Sequence, residues 1–456
     1  MNVLLVTYSF PPAGGVGVLR AASLARYLPS IDVRLDVLTA RSPSAVGADP
    51  GLLDDIPSDV TIHRTLTLDL PFSLKKWLKG RIAGTRKLAA SSPAAGQTSK
   101  PGLLRRIVQD LLLPDPQITW LPILTRNAIR IITERKIDLV LITVPPFSTS
   151  LLVRTLRRRF PHLAIVLDFR DEWLATSIDL ISFSSSPRAR RIAHQAEAEA
   201  VASSTAVVAV TEPARKLLQS RYPGQSAAKF HVVPNGYDAT RLPQPAHASA
   251  PSADRPVLLT YLGTVYGTTE PTALVEAIRT VSADLRARLR LRFIGRIEDP
   301  NFRAALLDLG ETVELLPFLP QAEALQALGE SDYALLITHD PVNVSAKFYD
   351  YLGVGKPILA TVHPDGAVRH LLEELRAGWW ADSRDVPSIR KLLGDAVVKR
   401  DLLSHNFHPE VAKIQRYERK ALASKYAQLL NRIHEGKQLT HSSDGLTPSV
   451  VSGTKV

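Results

Sequence analysis

Cysteine is missing from this 456-residue chain, which excludes a disulfide framework, thiol catalysis and thiolate metal sites. A reducing, cytosolic compartment is compatible with that absence. Long apolar runs are missing too. The best stretch, between Asp138 and Arg154, offers 15 uncharged residues and contains Pro145 and Pro146. A membrane-crossing helix needs ~20 mostly apolar residues. No basic residue comes before Arg20, whereas a secretory leader places positive charge ahead of its apolar core, so no export is expected. The chain also lacks an Asp-x-Asp triplet, a P-loop, a nucleophile elbow and paired histidines at metal spacing on one helix. No bound metal is expected from these residues.

Acid is missing from one segment. Residues 75–106 hold nine basic side chains (Lys75, Lys76, Lys79, Arg81, Arg86, Lys87, Lys100, Arg105 and Arg106) and no Asp or Glu. The whole chain carries 56 basic and 44 acidic residues, a net charge of +12, so nine of the twelve excess charges lie there. The rest is close to neutral, and with five Trp there is little to build a stacking groove for single strands, so nucleic acid is excluded as a partner. A local basic arm suits an anionic membrane surface; a solvated loop is the alternative.

Hydrophobic residues make up 45% of the chain and charged residues 22%, enough apolar material for two domains. Short apolar, β-branched runs at 2–7, 33–39, 138–143, 163–168, 205–210 and 229–233 alternate with helical patterns. A second series follows at 257–263, 290–295, 312–316, 333–337 and 357–361. Continuous apolar strands between helices predict parallel sheets covered on both faces. The Pro/Ala/Ser stretch 242–256 has the composition of a linker, and 89–101 is a second low-complexity stretch. The expected domains are therefore 1–241, interrupted by the basic segment 75–106, and 257–406. Apolar residues from Val411 to Ile433 recur at helical spacing, predicting one long helix over 407–436. The polar residues 437–456 are expected to be a disordered tail.

Three places could carry chemistry. The turn Pro11-Pro12-Ala13-Gly14-Gly15-Val16-Gly17 runs into a helix containing Arg20. Glycine permits close backbone approach, and the helix N-terminus offers free N–H groups to an anion; a plain tight turn reads from the same residues. The segment 342–357 opens a helix at Ser345, a candidate N-cap, with Lys347 in the first turn and Asp350 three residues on. A cation there opposes the helix dipole unless an anion joins it, and an exposed ion pair with Asp350 is the alternative. DFRDEW (168–173) places Asp168, Arg170, Asp171 and Glu172 at a strand's carboxyl end, where parallel sheets bind ligands; a surface ion-pair cluster is its alternative.

Together these segments resemble a known family. YSFPPAGGVGVLRA (8–21), LDFRDEW (167–173), VVPNGYD (232–238), LTYLGTVYG (259–267), LRFIGRI (291–297) and SAKFYDYLGVGKPILA (345–360) occur in the order found in retaining glycosyltransferases of family 4. The resemblance covers roughly residues 1–435. It implies the α/β GT-B architecture, two Rossmann-like domains facing across a cleft, with a nucleoside-diphosphate-sugar as donor and no cofactor or metal. Gly14, Gly15, Gly263, Thr264, Arg296, Ser345, Lys347 and Asp350 would bind the donor. Arg20, Asp168 and Arg170 would lie on the acceptor side, with Arg170, Asp171 and Lys347 nearest the chemistry. The acceptor would be a sugar or a lipid-linked sugar in polysaccharide or glycolipid assembly. The protein would then be cytoplasmic, peripheral at the inner face of the membrane.

The chain departs from the family pattern in three places. Many relatives carry an acid eight residues before the one at Asp350, and here that residue is Val342. Many carry Arg and Lys just after the first strand of the second domain, where this chain has no base between Gly263 and Arg279. Where many show His-Asp, this one has Arg170-Asp171. A nucleotide-sugar 2-epimerase and an inactive nucleotide-sugar-binding protein are the alternative functions.

The basic segment generates a prediction. The protein is expected to bind anionic vesicles reversibly, with binding weakened by salt and by changing Lys75, Lys76, Lys79 and Arg81 to Gln. Equal sedimentation with neutral and anionic vesicles would refute it.

Overall fold

In the computed structural model, the described residues are 1–43, 48–67, 112–177, 187–243, 255–265, 269 and 271–444. The basic segment 75–106, the low-complexity stretch within it and most of the linker 242–256 lie outside the described residues.

The first sheet is built from β1 (Asn2–Val6), β2 (Arg34–Ala40), β3 (Thr61–Thr65), β4 (Leu139–Val144), β5 (Ala164–Phe169), β6 (Ala206–Ala209) and β7 (Phe230–Val232), in the order β3-β2-β1-β4-β5-β6-β7. The second contains β8 (Val257–Leu262), β9 (Leu289–Ile294), β10 (Val313–Leu316), β11 (Tyr333–Ile337), β12 (Ile358–Val362) and β13 (Gly378–Asp382), in the order β10-β9-β8-β11-β12-β13. Both orders reverse direction beside their first strand, the doubly wound pattern with its ligand crevice at the reversal. The continuous apolar runs explain the parallel pairing: every residue of β4 and β5 is buried, so both faces must be covered by helices.

Two edge strands were not anticipated. β3 reads Thr-Ile-His-Arg-Thr and β13 reads Gly-Trp-Trp-Ala-Asp. Both lack a continuous aliphatic run. On β3, His63 Nε2 meets Asp36 Oδ1 of β2 at 2.7 Å.

The chain divides into two compact units, Met1–Val208 with Tyr222–His231 and Ala423–Val456, and Ala209–Arg221 with Val232–Leu422. This division differs from a boundary at 241. Thr211 Oγ1 donates to the Val342 carbonyl at 2.8 Å, and Tyr237 pairs with Glu418 as an isolated parallel bridge. Both contacts draw segments before 241 into the second unit.

The same bridge breaks the long helix expected over 407–436. Tyr237 N–H donates to the Tyr417 carbonyl at 3.1 Å, and Arg419 N–H to the Tyr237 carbonyl at 2.8 Å. Glu418 is accordingly extended, with a helix Val411–Ile414 before it and a helix Arg419–Asp444 after it. Gly236 permits the approach, since a Cβ there would fall 2.0 Å from the Tyr417 carbonyl oxygen. The tail also differs from expectation. The last helix passes Gly436 and reaches Asp444, because no proline interrupts its i→i−4 bonds before then.

In the second unit, buried side chains line both faces of the sheet. Tyr261, Leu291, Phe293, Leu335 and Ile389 lie in one cluster, and Leu262, Leu336, Phe348, Tyr351 and Leu372 in the other. Pairing of β8 with β11 covers only Leu259 opposite Tyr333 and Thr260 opposite Ala334. The two strands then part, which opens the crevice at their carboxyl ends.

Candidate functional site

The second unit's half-site starts from that parting. It leaves the Leu262 N–H and the Leu335 carbonyl without ladder partners. Tyr351 supplies both: its hydroxyl accepts from Leu262 N–H at 2.9 Å and donates to the Leu335 carbonyl at 3.1 Å. Burial and the nearby Tyr261 and Asp350 hold the Tyr351 phenol protonated, far above its ordinary pKa. Tyr351 lies on the helix Ala346–Val354 that follows β11. Residues four apart share a helix face, so Lys347 is directed at β8 as well.

Lys347 lies with its ammonium 3.8 Å from the Tyr261 ring centroid and donates to the Tyr261 hydroxyl at 2.5 Å. Burial lowers its pKa to about 7. Gly263, with φ +95°, gives the side chain room; a Cβ there would meet Nζ at 3.5 Å. Asp350 makes no ion pair with Lys347 within 4 Å among the described residues. Burial raises its carboxyl to about 6, against the opposing charge of Arg419. The exposed lysine–aspartate pair is therefore not what the structure contains.

Ser345 stands at the N-cap position with extended φ and ψ, but its side chain makes no capping bond. Its Oγ is buried and has no hydrogen-bond partner. The expected side-chain cap is absent, and of the first-turn N–H groups that of Phe348 donates to the Ser345 carbonyl at 3.1 Å. Just upstream, Asp340 accepts from the backbone of Val342 and Asn343 at 2.8 and 2.9 Å and shapes that loop. Gly295 closes the other side. A Cβ there would lie 2.4 Å from the Gly263 carbonyl oxygen, so only glycine lets the loops after β8 and β9 meet. They continue in parallel, with Val265 N–H donating to the Arg296 carbonyl at 2.8 Å. Thr264 accepts at its carbonyl from the Tyr261 hydroxyl at 3.0 Å.

The first unit's candidates divide into two sets. Arg20 and Asp168 are buried against each other, Nε to Oδ2 at 2.9 Å and Nη2 to Oδ1 at 2.8 Å. Tyr426 of the last helix closes the group at 2.8 Å from Arg20 Nη2. Burial alone would lower the Arg20 pKa, but Asp168 and Tyr426 raise it above its ordinary value. These groups satisfy one another. Arg170 is a brace: its guanidinium donates to the carbonyls of Gly17, Val144 and Pro145. Burial lowers its pKa, and the neighbouring charges of Asp171 and Asp168 oppose that shift. Glu172 caps the turn behind it, accepting from Ala175 N–H at 2.6 Å.

Gly14 and Gly15 end in different surroundings. Gly14 packs against Ala48 and Asp49, where a Cβ would sit 3.3 Å from their backbone. Gly15, with φ +96°, has nothing near it and is the N-cap of helix Val16–Tyr27, which no side chain caps. That helix start is thus a second one without a side-chain cap. The sequence reading missed Tyr261, Asp340 and Tyr351. A phenol two residues before the glycine that ends an aliphatic strand is the signal for Tyr261.

Residues 87–241 match the family model described as Glycosyltransferase Family 4. A comparison with curated protein sequences gives no significant match. Among solved structures, the chain is similar to sucrose-phosphate synthase from Thermosynechococcus elongatus, with a TM-score of 0.64, 13% identity and coverage of 95% of this chain and 99% of that one. It is also similar to HepE from Anabaena in complex with UDP, with a TM-score of 0.57, 13% identity and coverage of 97% and 100%. WaaG, a glycosyltransferase involved in lipopolysaccharide biosynthesis, gives a TM-score of 0.55, 15% identity and coverage of 94% and 99%. Residues 87–241 thus match the glycosyltransferase family 4 model, and the two doubly wound sheets share the GT-B fold of these solved glycosyltransferase structures.

Proposed function

We propose that the chain transfers a sugar from a nucleoside-diphosphate-sugar to an acceptor hydroxyl with retention, in polysaccharide or glycolipid assembly at the cytoplasmic face of a membrane. The observation that carries the donor assignment is the Lys347 ammonium, held beside Gly263 at a helix N-terminus without a side-chain cap. A diphosphate placed there would meet a cation and free N–H groups together. The UDP bound by HepE supports this donor class, and the role of WaaG supports a glycolipid acceptor. Arg296 would lie toward the base, Ser345 would offer its hydroxyl, and Asp350 would accept from the ribose hydroxyls. In the first unit, Arg170 donates to the Gly17 carbonyl at the start of the helix that follows Gly14 and Gly15.

In the proposed reaction the acceptor hydroxyl attacks the anomeric carbon on the face from which the nucleotide leaves. The bond from that carbon to the diphosphate oxygen breaks, and the acceptor proton passes to a diphosphate oxygen. Lys347 and the helix N–H groups stabilise the charge that develops there. One observation favours a second reading, a nucleotide-sugar-binding protein without transfer: Val342, where many relatives carry an acid, is buried and bonds only through its backbone. Nucleotide release with and without acceptor, with the product's anomeric configuration read by NMR, tests both. An inverted product overturns retention, and donor binding without turnover favours the second reading.

Activity is expected to survive EDTA, because the chain has no Asp-x-Asp triplet and the Lys347 ammonium would supply the charge that meets the diphosphate. Loss on chelation with recovery in Mg²⁺ or Mn²⁺ would refute this.

Lys347→Ala is expected to weaken nucleoside diphosphate binding about 10-fold or more, the effect of losing one bond to a charged group. Asp350→Asn is expected to weaken discrimination between ribose and 2′-deoxyribose nucleotides. Calorimetric titration of both variants checks these outcomes.

The same lysine sets a pH dependence in the free protein. Its folded pKa of about 7 lies below the ~10.4 of an unfolded lysine, so the unfolded chain binds more protons between those values. The cost of charging Lys347 is full below pH 7 and vanishes by about pH 10.4. Lys347→Met is thus expected to melt above the wild type at pH 6, with the difference gone near pH 10. A lower melting temperature at pH 6 would contradict it.

A further inference from the structure

Tyr261 lies on β8 two residues before Gly263 and is 1% exposed. Its ring packs against Phe293, with centroids 5.5 Å apart. Its hydroxyl accepts from Lys347 Nζ at 2.5 Å and donates to the Thr264 carbonyl at 3.0 Å. The ammonium also rests 3.8 Å from the ring centroid. One rigid side chain therefore grips the lysine and the loop that follows β8.

An unrestrained lysine in the first turn of a helix would swing into solvent, since its charge opposes the dipole and its stem is flexible. Here the loop after β8 contains no base, and the next basic residue is Arg279. The placing of one ammonium then decides how well this edge of the sheet can meet a diphosphate. From that geometry we infer that Tyr261 is the positioning residue of the donor half-site, holding the Lys347 ammonium beside Gly263 and so setting affinity for the donor's diphosphate without touching it. The inference rests on the donor reading above.

The titratable groups around Lys347 are phenols: Tyr261 on β8, and Tyr351 on its own helix with Tyr261 close enough to shift it. Asp350, on the same helix, faces the charge of Arg419. Among the described residues no carboxylate lies within 4 Å of the ammonium. Burial holds the Lys347 pKa near 7, so diphosphate affinity falls as pH rises above 7. Without the tyrosine oxygen the ammonium loses an acceptor and gives up its proton more readily. The alkaline fall in affinity then moves to lower pH.

Calorimetric titration with UDP, ADP and GDP from pH 6 to 9.5, on the wild type, Tyr261→Phe, Lys347→Met and the double variant, tests the inference. Tyr261→Phe should bind about tenfold more weakly, with its alkaline fall at lower pH than the wild type's. The double variant should bind no more weakly than Lys347→Met, because both changes act through one ammonium. A purely structural tyrosine would lower the melting temperature and leave the pH profile in place. If Tyr261→Phe fails to fold, 3-fluorotyrosine at position 261 keeps the shape with a poorer acceptor oxygen and should move the profile in the same direction. Unchanged affinity and an unmoved profile in the folded variant, with Lys347→Met weakened, overturn this inference and leave the donor reading standing. No nucleotide binding by the wild type overturns the donor reading and this inference with it.

Discussion

Strands β8 and β11 pair only through Leu259–Tyr333 and Thr260–Ala334 before they separate. A buried N–H or C=O left unpaired costs ~1–3 kcal/mol, so the separation is tolerable only where something else supplies the bonds. The Tyr351 hydroxyl does so for Leu262 and Leu335 together. Its helix is thereby fixed against the carboxyl end of β8. Lys347, one turn earlier, is brought to Tyr261 and Gly263 by the same docking. The crevice and its cation therefore share one structural cause.

In the first unit, charge is spent inside the fold. Arg20, Asp168 and Tyr426 form a closed group, with Asp168 fully buried. Removing one member of such a group strands the other's charge in a dry interior, which costs more than the intact pair contributes. The guanidinium of Arg170 is likewise committed to three carbonyls, tying the helix after the glycine turn to the loop after β4. The helix start at Gly15, by contrast, has no side-chain cap.

Much of the fold was legible beforehand. Eleven apolar runs were read as strands, and each coincides with a strand of the two sheets to within about a residue at either end, because buried parallel strands must be apolar on both faces. Of the four edge strands, β7 and β10 keep an apolar run, while β3 and β13 escaped because Thr-Ile-His-Arg-Thr and Gly-Trp-Trp-Ala-Asp lack a continuous aliphatic one. The helix expected over 407–436 had a correct apolar period, but its break at Glu418 depends on a backbone bridge to Tyr237, 181 positions earlier in the chain. No local pattern near Glu418 encodes that bridge.

The candidate residues show the same division. Ser345 and Lys347 could be named from the chain because helix starts and the helix dipole are local properties, whereas Gly263 came from the family resemblance and Gly295 was not named. The sequence by itself determined the strand order's raw material, the glycine turns and a lysine set against its own helix dipole. Only the tertiary structure decided that Arg20 and Asp168 neutralise each other, that Arg170 braces carbonyls, and that Tyr261 holds Lys347. Those outcomes depend on which groups meet across 148, 153 and 86 positions of chain, and a charged side chain's role is set by the partner it reaches and the water it loses there.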